Sequence, residues 1–252
     1  MRYPKWYRSD SPLQAALQRG LMKGGSLSQE LQELDEYPVK SGADALAVCQ
    51  ALEWLKAGRV AQDKSFPSPL HALAELCQKF ENPGDESYCV LHEHGSVLLA
   101  KLVNQGLSQE GLYRDSDLLF VLNVLAWFGT REAADTVLRA ARQSLLPEDE
   151  LWSHIFEAFE KEQPQAVRVF TELGKTLPTG YLAVALLDAV NRFALGGGEL
   201  RHPFDSDEGV ARLEAWISST DPEHASYAVS ATAALPFLNH EGRHRLLVTV
   251  HG

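Results

Sequence analysis

His240-Glu241-Gly242-Arg243-His244 is the string in this chain whose residue types and spacing come nearest to chemistry. On a helix, histidines at i and i+4 share one face and can ligate zinc, while the intervening carboxylate, Glu241, activates the metal-bound water. A zinc-dependent hydrolase is therefore one reading of the chain. Its surroundings oppose that reading. A catalytic zinc needs a third protein ligand, and the glycine and histidine of the extended metalloprotease pattern are replaced here by Leu247 and Val250. The third ligand would have to come from upstream, from His202 or His224. Gly242 also weakens a helix by about 1 kcal/mol relative to alanine. The expectation carried forward is no cofactor and no metal, with His240 and His244 at a turn and helix start.

The other histidines carry less. His92-Glu93-His94 places its histidines at i and i+2, which do not share a helix face, so a joint metal site would require a local break; they are expected to be surface groups. His71 and His154 fall within amphipathic stretches and are expected to be half-buried and hydrogen-bonded. Asp188 lies in an apolar run, and Arg192 at i+4 offers it an ion pair. The segment Gly196-Gly197-Gly198-Glu199-Leu200-Arg201-His202-Pro203-Phe204-Asp205-Ser206-Asp207 is the candidate binding loop. Arg201, His202, Asp205 and Asp207 supply charge there, and Phe204 supplies an apolar anchor. The glycine triplet is not a phosphate loop, since no strand precedes it and no Lys-Ser/Thr follows. The structural alternative is a connector in which Ser206 or Asp207 caps the next helix.

These residues sit in a pattern of paired helices. Leu118, Val121, Leu122 and Leu125 follow helical spacing, as do Leu182, Leu186, Ala189, Val190 and Phe193. Equivalent turns recur at Ala126, Ala158, Ala189 and Ala231, at intervals of 32, 31 and 42 residues, and second helices open near Ala134, Ala166, Gly209 and Arg243. The longer interval contains the 196–207 insertion. Insertions in stacked repeats tend to project onto one face, often the binding face. Pro147, Pro164, Pro178 and Pro222 stand at or before helix starts, and Gly129 and Gly174 fit helix ends that need positive φ. Periods of about 30 to 45 residues built from helix pairs define an all-α stack in which no pair buries its apolar face alone.

Leu125-Ala126-Trp127-Phe128-Gly129, followed by Ala133-Ala134, Val137-Leu138 and Ala141, resembles the inter-helix turn and second helix of a HEAT-type repeat. Asp221-Pro222-Glu223, with Ala228, Ala231 and Leu235 behind it, resembles the Asp-Pro opening of that family's first helix. The resemblance covers about the second half of the chain. It implies a right-handed α-solenoid of stacked antiparallel helix pairs, HEAT/ARM-like, that holds another macromolecule and carries no chemistry. Residues 114–252 would form four such pairs. Residues 1–113 would form an irregular helical part or capping repeats continuous with them, with 106–114 as the joint.

The formal charge of −11 weighs against nucleic acid, which needs a basic stripe to replace phosphate counterions. A nucleic-acid-processing repeat protein stacking bases on Trp127, Trp152 and Trp216 remains the third reading, with core packing the expected use of those rings. No run of about 18 apolar residues suggests a membrane span, and the basic, aromatic start at 1–8 has no apolar signal region, so a cytoplasmic protein is expected. Cys49, Cys77 and Cys89 fit reduced, buried thiols. In the first half, helices are expected over 14–23, 27–34, 43–55, 70–80 and 88–103, with 58–68 a loop and Asn82-Pro83-Gly84-Asp85 a turn. The ending Leu246-Leu247-Val248-Thr249-Val250 lacks the charged outer face of a terminal repeat. It implies a cover, either a second copy, a partner or continuation of the array, near Tyr227, Phe237, Leu246 and Val250. The leading expectation is thus a non-catalytic scaffold for protein–protein interaction.

Overall fold

Helix-forming periodicity dominates the molecule, and a computed structural model describes residues 11–21, 25–32, 39–60, 67–79, 85–147, 149–161, 163–176 and 178–251. The basic start at 1–8, most of the loop over 58–68 and most of the Asn82–Asp85 turn lie outside the described residues. Among those described there is no β-strand, and the fold is all-α. Contacts divide the chain into two compact units, Met1–Thr136 and Val137–Gly252.

The first unit contains α1 (Pro12–Leu21), α2 (Leu27–Gln32), α3 (Gly42–Lys56), α4 (Pro69–Leu76), a bent helix made of α5 (Glu86–Val90), a π-turn (Leu91–Gly95) and α6 (Ser96–Ser108), then α7 (Asp115–Phe128). Helix α3 touches α1, α4, α5, the π-turn and α6, which is why Ala45, Val48, Ala51, Leu52 and Leu55 are all buried on it. Ser41 and Ser68 cap α3 and α4 by accepting from Asp44 N at 3.1 Å and His71 N at 3.1 Å. Helix α7 packs on α4 and α6 and ends at Gly129, whose φ of 62° needs glycine.

Residues 106–114, expected as the joint, are a tight turn inside this unit. A Cβ on Gly106 would stand 2.8 Å from both Leu118 and Tyr113, so the missing side chain lets α6 and α7 close. The division by contacts falls within α8 (Arg131–Arg142), so α7 lies with the first unit.

The second unit contains α9 (Leu151–Phe159), α10 (Gln163–Gly174), α11 (Gly180–Leu195), α12 (Asp207–Ile217), α13 (Ala225–Ala233) and α14 (His240–His251). Every first and second helix inferred from the repeat register is present. Helix α9 touches α10 and α11, α11 touches α13, and α12 touches α13 and α14. An aromatic chain runs through its core, from Trp152 to Phe156, Phe170 and Phe193, with successive ring centroids 5.8, 6.3 and 5.7 Å apart. Full burial of each such side chain contributes about 1.5–3 kcal/mol.

Two local expectations change here. Gly174 does not have positive φ; a Cβ on it would lie 2.2 Å from Cβ of Pro203, so its smallness admits the 196–206 loop. Arg192 does not pair with Asp188 on its own helix. It reaches Glu160 beyond the end of α9, with Nε 3.0 Å and Nη2 2.9 Å from Oε1. Burial pushes the Glu160 carboxyl up and the arginine only partly offsets that.

Candidate functional site

The 196–206 loop leaves α11 and returns to start α12, and its centre turns inward. His202 is 4% exposed and Phe204 is fully buried. The Phe204 N–H donates to His202 Nδ1 at 3.3 Å, which assigns the remaining ring proton to Nε2, 3.1 Å from Asn191 Oδ1. Asn191 Nδ2 in turn donates to the Ser230 carbonyl at 3.0 Å, so one relay joins loop, α11 and α13. His202 also stacks on Phe237, and Phe204 packs beside Trp216 with centroids 6.0 Å apart. Burial lowers the His202 pKa to about 4, against a small opposite push from Asp205. His202 and Phe204, expected as binding groups, are thus buried and held by the hydrogen-bond relay and the apolar contact. The capping alternative holds through Ser206, which accepts from Gly209 N at 3.1 Å.

The remaining loop charges meet the start of α14. Arg201, Asp205, Ser206 and Asp207 line a small polar cleft of about 280 Å³ with Asn239, Glu241 and Arg245. Asp205 Oδ1 accepts from Asn239 N at 2.9 Å, and Arg201 donates to the Asp205 carbonyl at 3.1 Å. Arg245 forks onto Glu214 through Nε at 3.2 Å and Nη2 at 2.5 Å, with Asp207 3.8 Å from Nη1. Hydrogen bonding to Glu214, and then the charges of Glu214, Asp207 and Glu241, hold that guanidinium above its usual pKa. The structure thus gathers Arg201, Asp205, Asp207 and Glu241 from two distant sequence strings, but pairs the cations of the cleft internally.

The His240-to-His244 string forms the first turn of α14, with Gly242 N donating to Asn239 Oδ1 at 2.9 Å as an N-cap. His240, Glu241 and His244 are all exposed. His202 faces Asn191, and His224 accepts or donates to Ser219 at 3.0 Å and stacks on Tyr227, so neither points to a shared site with them. Among the described residues no group of three or more histidines, cysteines or acids could hold a metal.

Elsewhere, His71 is half-buried as expected, stacked on Phe120 with its Nδ1 3.6 Å from Asp117 Oδ1. Burial opposes the Asp117 charge, yet the neighbouring His71 and Ser68 and the Arg114 guanidinium, whose Nε donates to Oδ2 at 3.2 Å, outweigh it and hold the carboxyl below its usual range. His154 is corrected: it is exposed, 3.9 Å from Glu157. Trp152 is buried, and Trp127 and Trp216 are half-buried against their own neighbours, Tyr88 and Phe128 for the first, Phe204 and Tyr227 for the second. Cys49 and Cys77 are buried, whereas Cys89 is exposed. Burial pushes the Cys49 thiol up to about 12.

Sequence reasoning missed a groove of about 690 Å³ in the first unit, lined by one stripe of α3 and one stripe of the bent helix. The π-turn at Leu91–Gly95, a form frequent at functional sites, contributes Glu93 and His94 to its lining. The signal was His92-Glu93-His94. The local break that would have been needed there exists, but it sends the two rings apart, His92 against Tyr88 and Phe128 and His94 to the groove.

Helix α14 buries only Gly242 and Leu246. Leu246, expected on an open surface, is instead covered by its own unit, while Leu247, Val248 and Val250 are 40, 59 and 40% exposed. No helix among the described residues is long and apolar enough to cross a membrane. Compared with known proteins, the chain matches no family model, no curated protein and no solved structure. What the fold defines is an all-α protein.

Proposed function

We propose that this chain is a non-catalytic, HEAT-like helical-repeat scaffold that binds another protein, with α14 as the docking helix. The observation that carries the reading is the exposed trio Leu247, Val248 and Val250 on a helix that buries one large side chain. Adjacent apolar groups left in water favour a protein interface. The contact order supports the solenoid reading, with α9, α11 and α13 as one layer and α12 and α14 as the other. The 196–207 loop lends support too, because His202 serves a hydrogen-bond relay, Ser206 a helix cap and Asp205 a bond to the Asn239 N–H.

Light scattering and affinity capture on wild type and Leu247→Glu test the proposal. Wild-type oligomers dispersed by the substitution identify the surface as self-associating. A monomer whose captured partner is lost on substitution identifies a hetero-interface. A wild-type monomer whose captured proteins are the same in both forms rejects α14 as the docking helix.

A further inference from the structure

The groove in the first unit has a direction. A Cβ on Gly42 would lie 2.5 Å from Glu86 Cδ, and one on Gly95 would lie 3.9 Å from Cys49 Sγ. Both α3 and the bent helix therefore advance the same way along the groove. Glu93 and His94 stand toward the end marked by Leu46 and Cys49, whereas Lys101 stands toward the end where α3 gives way to Arg59. Between those ends the walls are Trp54, Ala57, Val97 and Leu98. Glu53, also on the wall, pairs with Lys56 at 2.8 Å.

An apolar channel that is acidic at one end and basic at the other orients a ligand with a single charge. Clefts that take small organic molecules run to about 300–1,000 Å³ and are mostly apolar with few polar groups, and this groove falls in that range. We propose that it binds a free, single-tailed amphipathic anion. The apolar tail lies along Trp54, Ala57, Val97 and Leu98, and the anionic head meets Lys101. Glu93 repels the head from the opposite end and so sets the polarity. The site is independent of the α14 surface and of whether the protein is a scaffold.

Calorimetric titration of the full chain with dodecanoate and with dodecylammonium, each below its micelle-forming concentration, tests the inference. Dodecanoate is expected to saturate at one per chain and dodecylammonium to bind about tenfold or more weakly. Lys101→Glu should weaken dodecanoate about tenfold and narrow or invert the preference. Ala57→Trp, at an exposed position that leaves the core intact, should plug the groove and abolish binding of both. Circular dichroism verifies that the variants are folded. Equal binding of the two head groups, absence of saturable dodecanoate binding, or binding unchanged in Ala57→Trp overturns the proposal. Binding to anionic vesicles in place of free dodecanoate also overturns it, in favour of a membrane surface.

Discussion

The 196–206 loop and helix α14 spend their side chains in opposite ways. The loop is rich in charge and glycine, yet its two most distinctive residues, His202 and Phe204, are buried. The helix is regular, yet three of its apolar residues face solvent. The difference follows from where each can find partners. A loop that crosses the ends of several helices meets unpaired backbone groups, so its polar atoms are drawn into hydrogen bonds and its ring into the space between. A helix touching mainly one neighbour can bury one stripe, and the rest of its apolar surface stays open.

The sharpest way to break this comparison is Phe204→Ala. Loss of a fully buried ring should destabilise the protein by about 3–5 kcal/mol in urea denaturation. A cost under about 1 kcal/mol would mean that the loop is not part of the core.

The next effect is a pH dependence. The His202 pKa falls from 6.5 to about 4 on folding, so the fold binds the neutral ring and its stability is complete above pH 6.5. As pH drops from 6.5 toward 4 the unfolded state takes up the proton first, and about 3 kcal/mol is lost. Melts at pH 7.5, 5.5 and 4 should show this decline in wild type and a clearly smaller one in His202→Asn.

Gly174→Ala is expected to cost about 1–3 kcal/mol, because the new Cβ displaces Pro203. Part of that is returned by the better helix propensity of alanine, about 1 kcal/mol. The smallest change is Leu247→Glu, within about 0.5 kcal/mol of wild-type stability for an exposed residue, although it removes the proposed association. Melting curves that show a loss of several kcal/mol in that variant would return Leu247 to the core and erase the contrast.

Local patterns were sufficient for the helices. The i, i+3, i+4, i+7 spacing and the prolines at helix starts depend on neighbours within a few residues, so α7 to α14 fall where the spacing predicts them. The same holds for Gly129, where a backbone conformation that only glycine readily takes is a local demand. Distance-dependent choices were not legible. Arg192 had a carboxylate at i+4 and took Glu160 instead. Gly174 read as a turn residue and proved to be a seat for Pro203. The candidate site was half legible. Arg201, Asp205, Asp207 and Glu241 do converge, but only the packing of the loop on α14 shows that their cations are already paired.

By itself, then, the sequence determined an all-α chain and the approximate places of its helices, because hydrophobic period acts over one or two turns. Only the tertiary structure decided which residues are left for function. It buried His202 and Phe204, exposed Leu247, Val248 and Val250, and opened a groove at a π-turn, because burial and partner choice depend on groups brought together from distant parts of each unit.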